Sequence, residues 1–144
     1  MSTYLLIDTS TSRTSVAIVG SGKTLFASHH DGALSHGEAL PELVAQGLKI
    51  ESRIDQVIVG MGPGPFTGLR AGISFAQSFA LGRGIPWQGV CSLDAIGNQI
   101  AESDFLFAID ARRKEVFFAR YTNGLRIGEP KVCQPSQLTA FDIP

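Results

Sequence analysis

The sequence predicts an α/β chain in which a meander of three strands precedes a strand–loop–helix unit. Three observations carry this. The runs YLLID, TSVAIV and TLFAS are short, β-prone and separated by polar turns. QVIVG is a near-continuous apolar strand, of the kind covered on both faces, that opens onto a glycine-rich stretch and then a helical segment. Between these blocks Leu40, Leu43, Val44, Gly47 and Leu48 recur at i, i+3, i+4, i+7 and i+8, one apolar stripe on a helix.

Taken in order, strands are expected over 4–8, 14–19 and 24–28, joined by TSTSR and GSGK, and a helix over 36–48. Ser35 and Glu38 have the spacing of a capping box at its start. Pro41, which can donate no backbone N–H, predicts either a kink or a start nearer Ala39. A strand over 56–60, the glycine-rich loop and a helix over 67–81 form a βα unit. A strand over 85–90, a short helix over 93–99 and a hairpin of 104–110 with 115–121 continue the alternation, and the tail from Thr122 carries no strong signal. LLIDTSTSRTSVAIV and LFAIDARRKEVFFARY echo each other at an offset of 102 residues (Ile109 minus Ile7), which predicts duplicated halves, 1–102 and 103–144, the second unfinished.

At 144 residues, with 44% hydrophobic and 17% charged, the chain has the apolar content for a real core, which excludes disorder. A net charge of -1 with one basic cluster, Arg112, Arg113 and Lys114 beside the expected turn, gives autonomous nucleic-acid binding little to work with. Cys91 and Cys133 form no C-x-x-C pair, and His29, His30 and His36 share no ligand spacing with them, so neither a disulfide scaffold nor a zinc site is expected. The N-terminus has no basic region before its short apolar run, and no later run approaches membrane-spanning length; a cytoplasmic protein with no membrane partner is expected.

The stretch VGMGPGPFTGLRAG, residues 59–72, has the look of a phosphate loop. It lacks the lysine of a Walker A loop. It also fails G-x-G-x-x-G, because Thr67 or Pro65 falls in the third glycine's place. Pro63 and Pro65 remove N–H donors, which favours a rigid strand-to-helix corner, while the N–H groups of Gly68 and Leu69 keep an anion open as the alternative. Beyond it Gly68, Gly72, Ala76 and Ala80 form a stripe of small residues at i+4 spacing, flanked by Leu69, Ile73 and Phe79. Arg70 is the only charge between Thr67 and Gly82, so little solvent-facing surface is expected, with one face on the chain's own sheet and another free to meet a helix of this chain or of a partner.

Asp8, Thr9 and Ser10 end the first strand where phosphates could lie, Asp8 serving a Mg²⁺-bound water; Asx and Ser/Thr turns explain the same residues. His36 has Leu40 at i+4, so no second histidine shares its face for a metal. Asp110 to Glu115 favours a charged turn over a polar site, and no catalytic triad stands out.

Four ordered segments, LLIDTSTSRTSVAIV, SHGEALPELV, MGPGPFTGLRAG and IDARRKEVFFARY, covering roughly 4–121, strongly resemble the TsaB/YeaZ family. These are partner proteins for the threonylcarbamoyl modification of tRNA adenosine, within the actin/Hsp70-like superfamily. The resemblance implies an RNase H-like mixed sheet with flanking helices over 1–102, followed by a truncated second half over 103–144. It implies a non-catalytic scaffold subunit that meets the catalytic paralogue TsaD, or a second copy in its absence, through helices 36–48 and 67–81. Leu40, Leu43, Val44, Gly68, Leu69, Gly72, Ile73, Ala76 and Ala80 are the interface residues this suggests. A further ATPase subunit of the same pathway is an additional partner, and direct tRNA binding by this chain alone is not expected. No metal and no firmly bound cofactor are expected, ATP or ADP with Mg at a complex interface being the one candidate, and the paralogue's His-x-x-x-His motif would need histidine at both His36 and Leu40. The alternative activity is a nucleotide-binding ATPase acting through Asp8, Thr9 and Ser10. Proteolysis, from the family's glycoprotease label, lacks both ligand pair and nucleophile. Family members of this kind are expected to be longer, which makes the chain a fragment or a reduced version.

Overall fold

A computed structural model gives the structure over residues 1–32 and 35–141, in two compact units, Met1–Val90 and Cys91–Pro144. In the first unit β1 (Thr3–Asp8), β2 (Arg13–Gly20) and β3 (Lys23–Asp31) form the expected antiparallel meander. β4 (Gln56–Gly60) adds parallel to β1, with Leu5 opposite Val57 and Ile7 opposite Val59, and β5 (Trp87–Val90) adds parallel to β4. The order β3-β2-β1-β4-β5 is a mixed sheet, and its two parallel steps are the ones bridged by helices.

Alternation along the strands sets the core. Leu5, Ile7, Val16, Ile18, Val57 and Val59 are all buried and meet Leu40, Leu43 and Val44 of α1 (His36–Ile50) and Ala76 and Ala80 of α2 (Phe66–Arg83). Each such aliphatic side chain withdrawn from water contributes about 1.5–3 kcal/mol, which outweighs the single helical hydrogen bond that Pro41 denies to α1. The helix accordingly runs as one element from His36, with Pro41 inside it. The capping box does not form: the Ser35 hydroxyl turns back and donates to the Gly32 carbonyl at 2.8 Å instead of serving the helix N–H groups.

The second unit holds the short helix α3 (Asp94–Gly97), an antiparallel sheet β6-β7-β8 (Asp104–Arg112, Glu115–Thr122, Leu125–Cys133) and a 3-10 turn, Pro135–Ala140. Tyr121 is its centre: fully buried, stacked on Phe105 at 5.1 Å, its hydroxyl donates to Asp94 Oδ1 at 2.7 Å, and Arg126 Nε donates to the same oxygen at 2.9 Å. These bonds tie α3 to the second sheet, so the units divide at Val90/Cys91 and not at 102/103. β8 adds a third strand to the echo between the halves, although the sequence gives no strong sign of it: Gly128 and Pro130 interrupt the pattern, and the pairing shifts register between Phe118 and Arg120. Among the described residues no helix is long and apolar enough to cross a membrane.

Three of the four hairpins, all but β1–β2, turn through two residues at positive φ, the conformation whose twist suits a two-residue loop. Ser21–Gly22 (54° and 72°) joins β2 to β3, and Asn123–Gly124 (50° and 77°) joins β7 to β8, both with a glycine to relieve it. The loop between β6 and β7 is Arg113–Lys114 (53° and 64°), preceded by Arg112 at 64°, three long L-residues in a region that costs on the order of 1 kcal/mol each.

Removing the Tyr121 hydroxyl should cost about 1–2 kcal/mol, since it takes one donor from a carboxylate that keeps Arg126. Urea unfolding of Tyr121→Phe measures this. An unchanged midpoint would mean that the stacked ring alone holds α3 in place.

Candidate functional site

The corner between β4 and α2 lies beside the end of β1, because the parallel pairing of Ile7 with Val59 brings both strands out at the same edge. The residues after β1, Thr9 and Ser10, therefore face the glycine-rich loop and the start of α2. A Cβ built on Gly64 would overlap the Ser10 carbonyl, and one on Gly72 would overlap Thr9 Oγ1. On Gly68 it would lie 2.7 Å from the Thr9 carbonyl oxygen and 3.2 Å from His36 Nε2. Glycine at four-residue intervals is thus required by contact with the chain's own Thr9 and Ser10, through backbone at Gly64 and Gly68 and through the Thr9 side chain at Gly72. Gly62 adds a turn at φ +91°, which an L side chain rarely adopts.

Hydrogen bonds close this contact. Thr9, with no exposed surface, donates its hydroxyl to the Gly68 carbonyl at 2.6 Å. Ser10 donates both its N–H and its hydroxyl to Asp8 Oδ1, at 2.8 and 2.6 Å, an Asx turn. Asp8, Thr9 and Ser10 are brought together as the sequence suggests, but the two hydroxyls are engaged inside the chain, and an arriving phosphate would have to displace these bonds. His36 is buried below them, its Nδ1 2.6 Å from Thr14 Oγ1. Burial holds its pKa below the usual 6.5, and a hydrogen bond with the Thr11 backbone opposes part of that. Leu40, where a second metal ligand would stand, is a core residue at 1% exposure, so the residues do not fit a metal at this helix. No group of three metal-binding side chains occurs among the described residues.

The residues expected at an interface are placed differently. Leu40, Leu43, Val44, Gly68, Gly72, Ala76 and Ala80 are buried, and the stripe of small residues serves close approach within this chain; Leu69 and Ile73 are half-buried. Two residues, or about 200°, around α2 from that stripe, the helix exposes an outer face, against the expectation of little solvent-facing surface. It carries Phe66 (70% exposed), Thr67, Arg70, Ser74, Ser78 and Leu81 (84%), with the Arg70 guanidinium 4.6 Å from the centre of the Phe66 ring. Turning the stripe inward would have located this face from the sequence; it was missed because the uncharged composition suggested burial all round.

Gly72→Val should therefore destabilise the first unit by about 3 kcal/mol, as an overpacked site against the buried, hydrogen-bonded Thr9 side chain. Urea unfolding of the variant measures it, and a wild-type midpoint would show that Thr9 moves aside freely. His36 gives a pH effect of defined sign. With its folded pKa below the unfolded value, the unfolded chain binds more protons as the pH falls below about 6.5, so the histidine's contribution is complete above that pH and lost on acidification, by at most about 1.4 kcal/mol per pH unit. Unfolding of wild type and His36→Gln between pH 7.5 and 5 should converge as the pH falls; parallel curves would mean that His36 titrates as in the unfolded chain.

A family model described as TsaD, tRNA N6-adenosine threonylcarbamoyltransferase, matches residues 30–144. The chain is 44% identical over 140 residues, 92% of its own length and 65% of the other's, to an uncharacterised protein of Mycobacterium tuberculosis. It is 35% identical over 136 residues, 87% of its length and 58% of the other's, to the tRNA threonylcarbamoyladenosine biosynthesis protein TsaB of Escherichia coli. The structure is similar to that of YeaZ from Pseudomonas aeruginosa, with a TM-score of 0.82 at 29% identity, covering 94% of this chain and 68% of that one. The chain thus spans about three-fifths of the length of these two curated relatives. With this identity over most of its length and the RNase H-like mixed sheet that it shares with YeaZ, the chain belongs to the TsaB/YeaZ family.

Proposed function

We propose that this chain is a non-catalytic scaffold subunit for the threonylcarbamoyl modification of tRNA adenosine, and that it docks a TsaD-like catalytic protein on the outer face of α2 with the exposed side of α1. The observation that carries this reading is that outer face: a helix of 18 residues whose exposed side bears a single charge, Arg70, before its last turn and ends in the exposed Leu81. Uncharged helix faces with isolated apolar and arginine residues suit a protein contact better than bulk solvent. The engaged hydroxyls of Thr9 and Ser10 and the core position of Leu40 support a positioning role over nucleotide hydrolysis or metal-dependent transfer by this chain. In the absence of the catalytic protein the same face would pair two copies of the chain.

Ser74 and Ser78 lie mid-face and touch none of the core, so Ser74→Arg with Ser78→Glu should leave the melting temperature within about 2 °C of wild type. Association with a TsaD-like protein from the same source, followed by light scattering, should weaken at least tenfold (on the order of 1.4 kcal/mol). A wild-type mixture that never forms a complex, or a variant that associates as tightly as wild type, counts against this reading.

A further inference from the structure

The β6–β7 hairpin tip carries an observation that the scaffold reading leaves unused. Arg112, Arg113 and Lys114 are consecutive, all exposed and all at positive φ (64°, 53° and 64°). The chain solves the same geometric problem twice elsewhere with Ser21–Gly22 and Asn123–Gly124, so the usual residues for this turn are available to it. The tip is tied back to the strands: Asp110 Oδ1 accepts the Arg112 backbone N–H at 2.9 Å, and Arg112 stands opposite Glu115 in the ladder. Among the described residues, no carboxylate forms an ion pair with the three cations; Lys23, Lys49, Arg70, Arg83 and Lys131 also lack one, but each of those stands alone in the sequence, whereas the tip sets three cations side by side. Backbone strain kept where a glycine would relieve it, beneath three unpaired cations on a convex tip, is the signature of a segment kept for what it contacts.

We infer that the Arg112–Arg113–Lys114 tip is a phosphate-contacting knob, and that its ligand is the sugar–phosphate backbone of RNA bound by the assembled complex. The inference rests on the scaffold reading for the presence of RNA and on the hairpin for the contact. A narrow convex tip with two guanidinium forks suits phosphate oxygens along a strand or across a groove, where neither base readout nor a flat complementary surface is needed. An acidic protein surface would ask for a broader basic face than three successive residues supply. Three contacts are too few for tight binding by this chain alone; their effect is to add affinity and salt dependence to RNA already held by the catalytic partner.

The test replaces the turn by the one the chain uses between β7 and β8. Arg113→Asn with Lys114→Gly removes two cations and relieves the strain, so the variant should melt a few degrees above wild type, and loss of fold cannot mimic loss of binding. With a labelled tRNA transcript and the chain mixed with a TsaD-like protein, Kd should rise about tenfold near physiological salt. The slope of log Kd against log salt should fall by about 1.5, while Arg113→Lys keeps the wild-type slope. Equal affinity and slope for wild type and the Asn–Gly variant would overturn the inference. So would weakened association with the TsaD-like protein at unchanged RNA affinity, which would make the tip a protein contact, or displacement of the RNA effect by micromolar Mg-ATP, which would make it a nucleotide site. If wild type does not associate with the TsaD-like protein, the scaffold reading fails by itself. The slopes are then compared on the chain alone at low salt, where an unchanged slope still rejects the knob.

Discussion

The first unit depends on one close contact: the loop and first turns of α2 lying on Thr9 and Ser10 with no side chain of α2 between them. Everything that positions the two long helices follows from it. Gly64, Gly68 and Gly72 present bare backbone to the end of β1, Thr9 seals the contact through the Gly68 carbonyl, and His36 of α1 lies against the same helix turn. Such a contact has no slack. A side chain that is merely too large in an aliphatic core can be met by a rotamer change, but the neighbours here are a carbonyl and a β-branched residue with no free torsion to yield.

The same constraint decides how the corner is filled. A glycine-rich strand-to-helix loop leaves its amides free when a ligand is to fill the space above them. Here the space is filled by the chain, and the polar groups of Asp8, Thr9 and Ser10 are turned toward one another and toward α2. What remains outward on this helix is the face that carries Phe66, Arg70 and Leu81.

The order and type of the elements through β7 were legible because each has its own signal: alternation in β1 and β2, a continuous apolar run in β4, and i+3/i+4 spacing in α1. The inward direction of the small-residue stripe was not, since spacing identifies a face without saying what covers it. Nor was the Ser35 hydroxyl's preference for Gly32 over the helix amides, a competition between two local bonds of similar strength. β8 escaped because its glycine and proline are accommodated by a shifted register, which only the partner strand reveals. The boundary between the units escaped for a related reason, as Asp94 belongs with Tyr121 and Arg126, about 30 residues on.

The proline inside α1 has a dynamic corollary. Because Pro41 has no N–H, the Gly37 carbonyl lacks its helical donor, and both residues face outward where water can supply one. The rung that is missing lies between the turn bearing His36 and the body anchored by Leu40, Leu43 and Val44. The first turn is thereby uncoupled from the cooperative opening of the rest, so that its amides exchange through small local excursions while those beyond Leu43 wait for the unit to unfold. The helix is continuous in shape and segmented in stability, with the buried imidazole bonded to Thr14 as the clasp on its looser end.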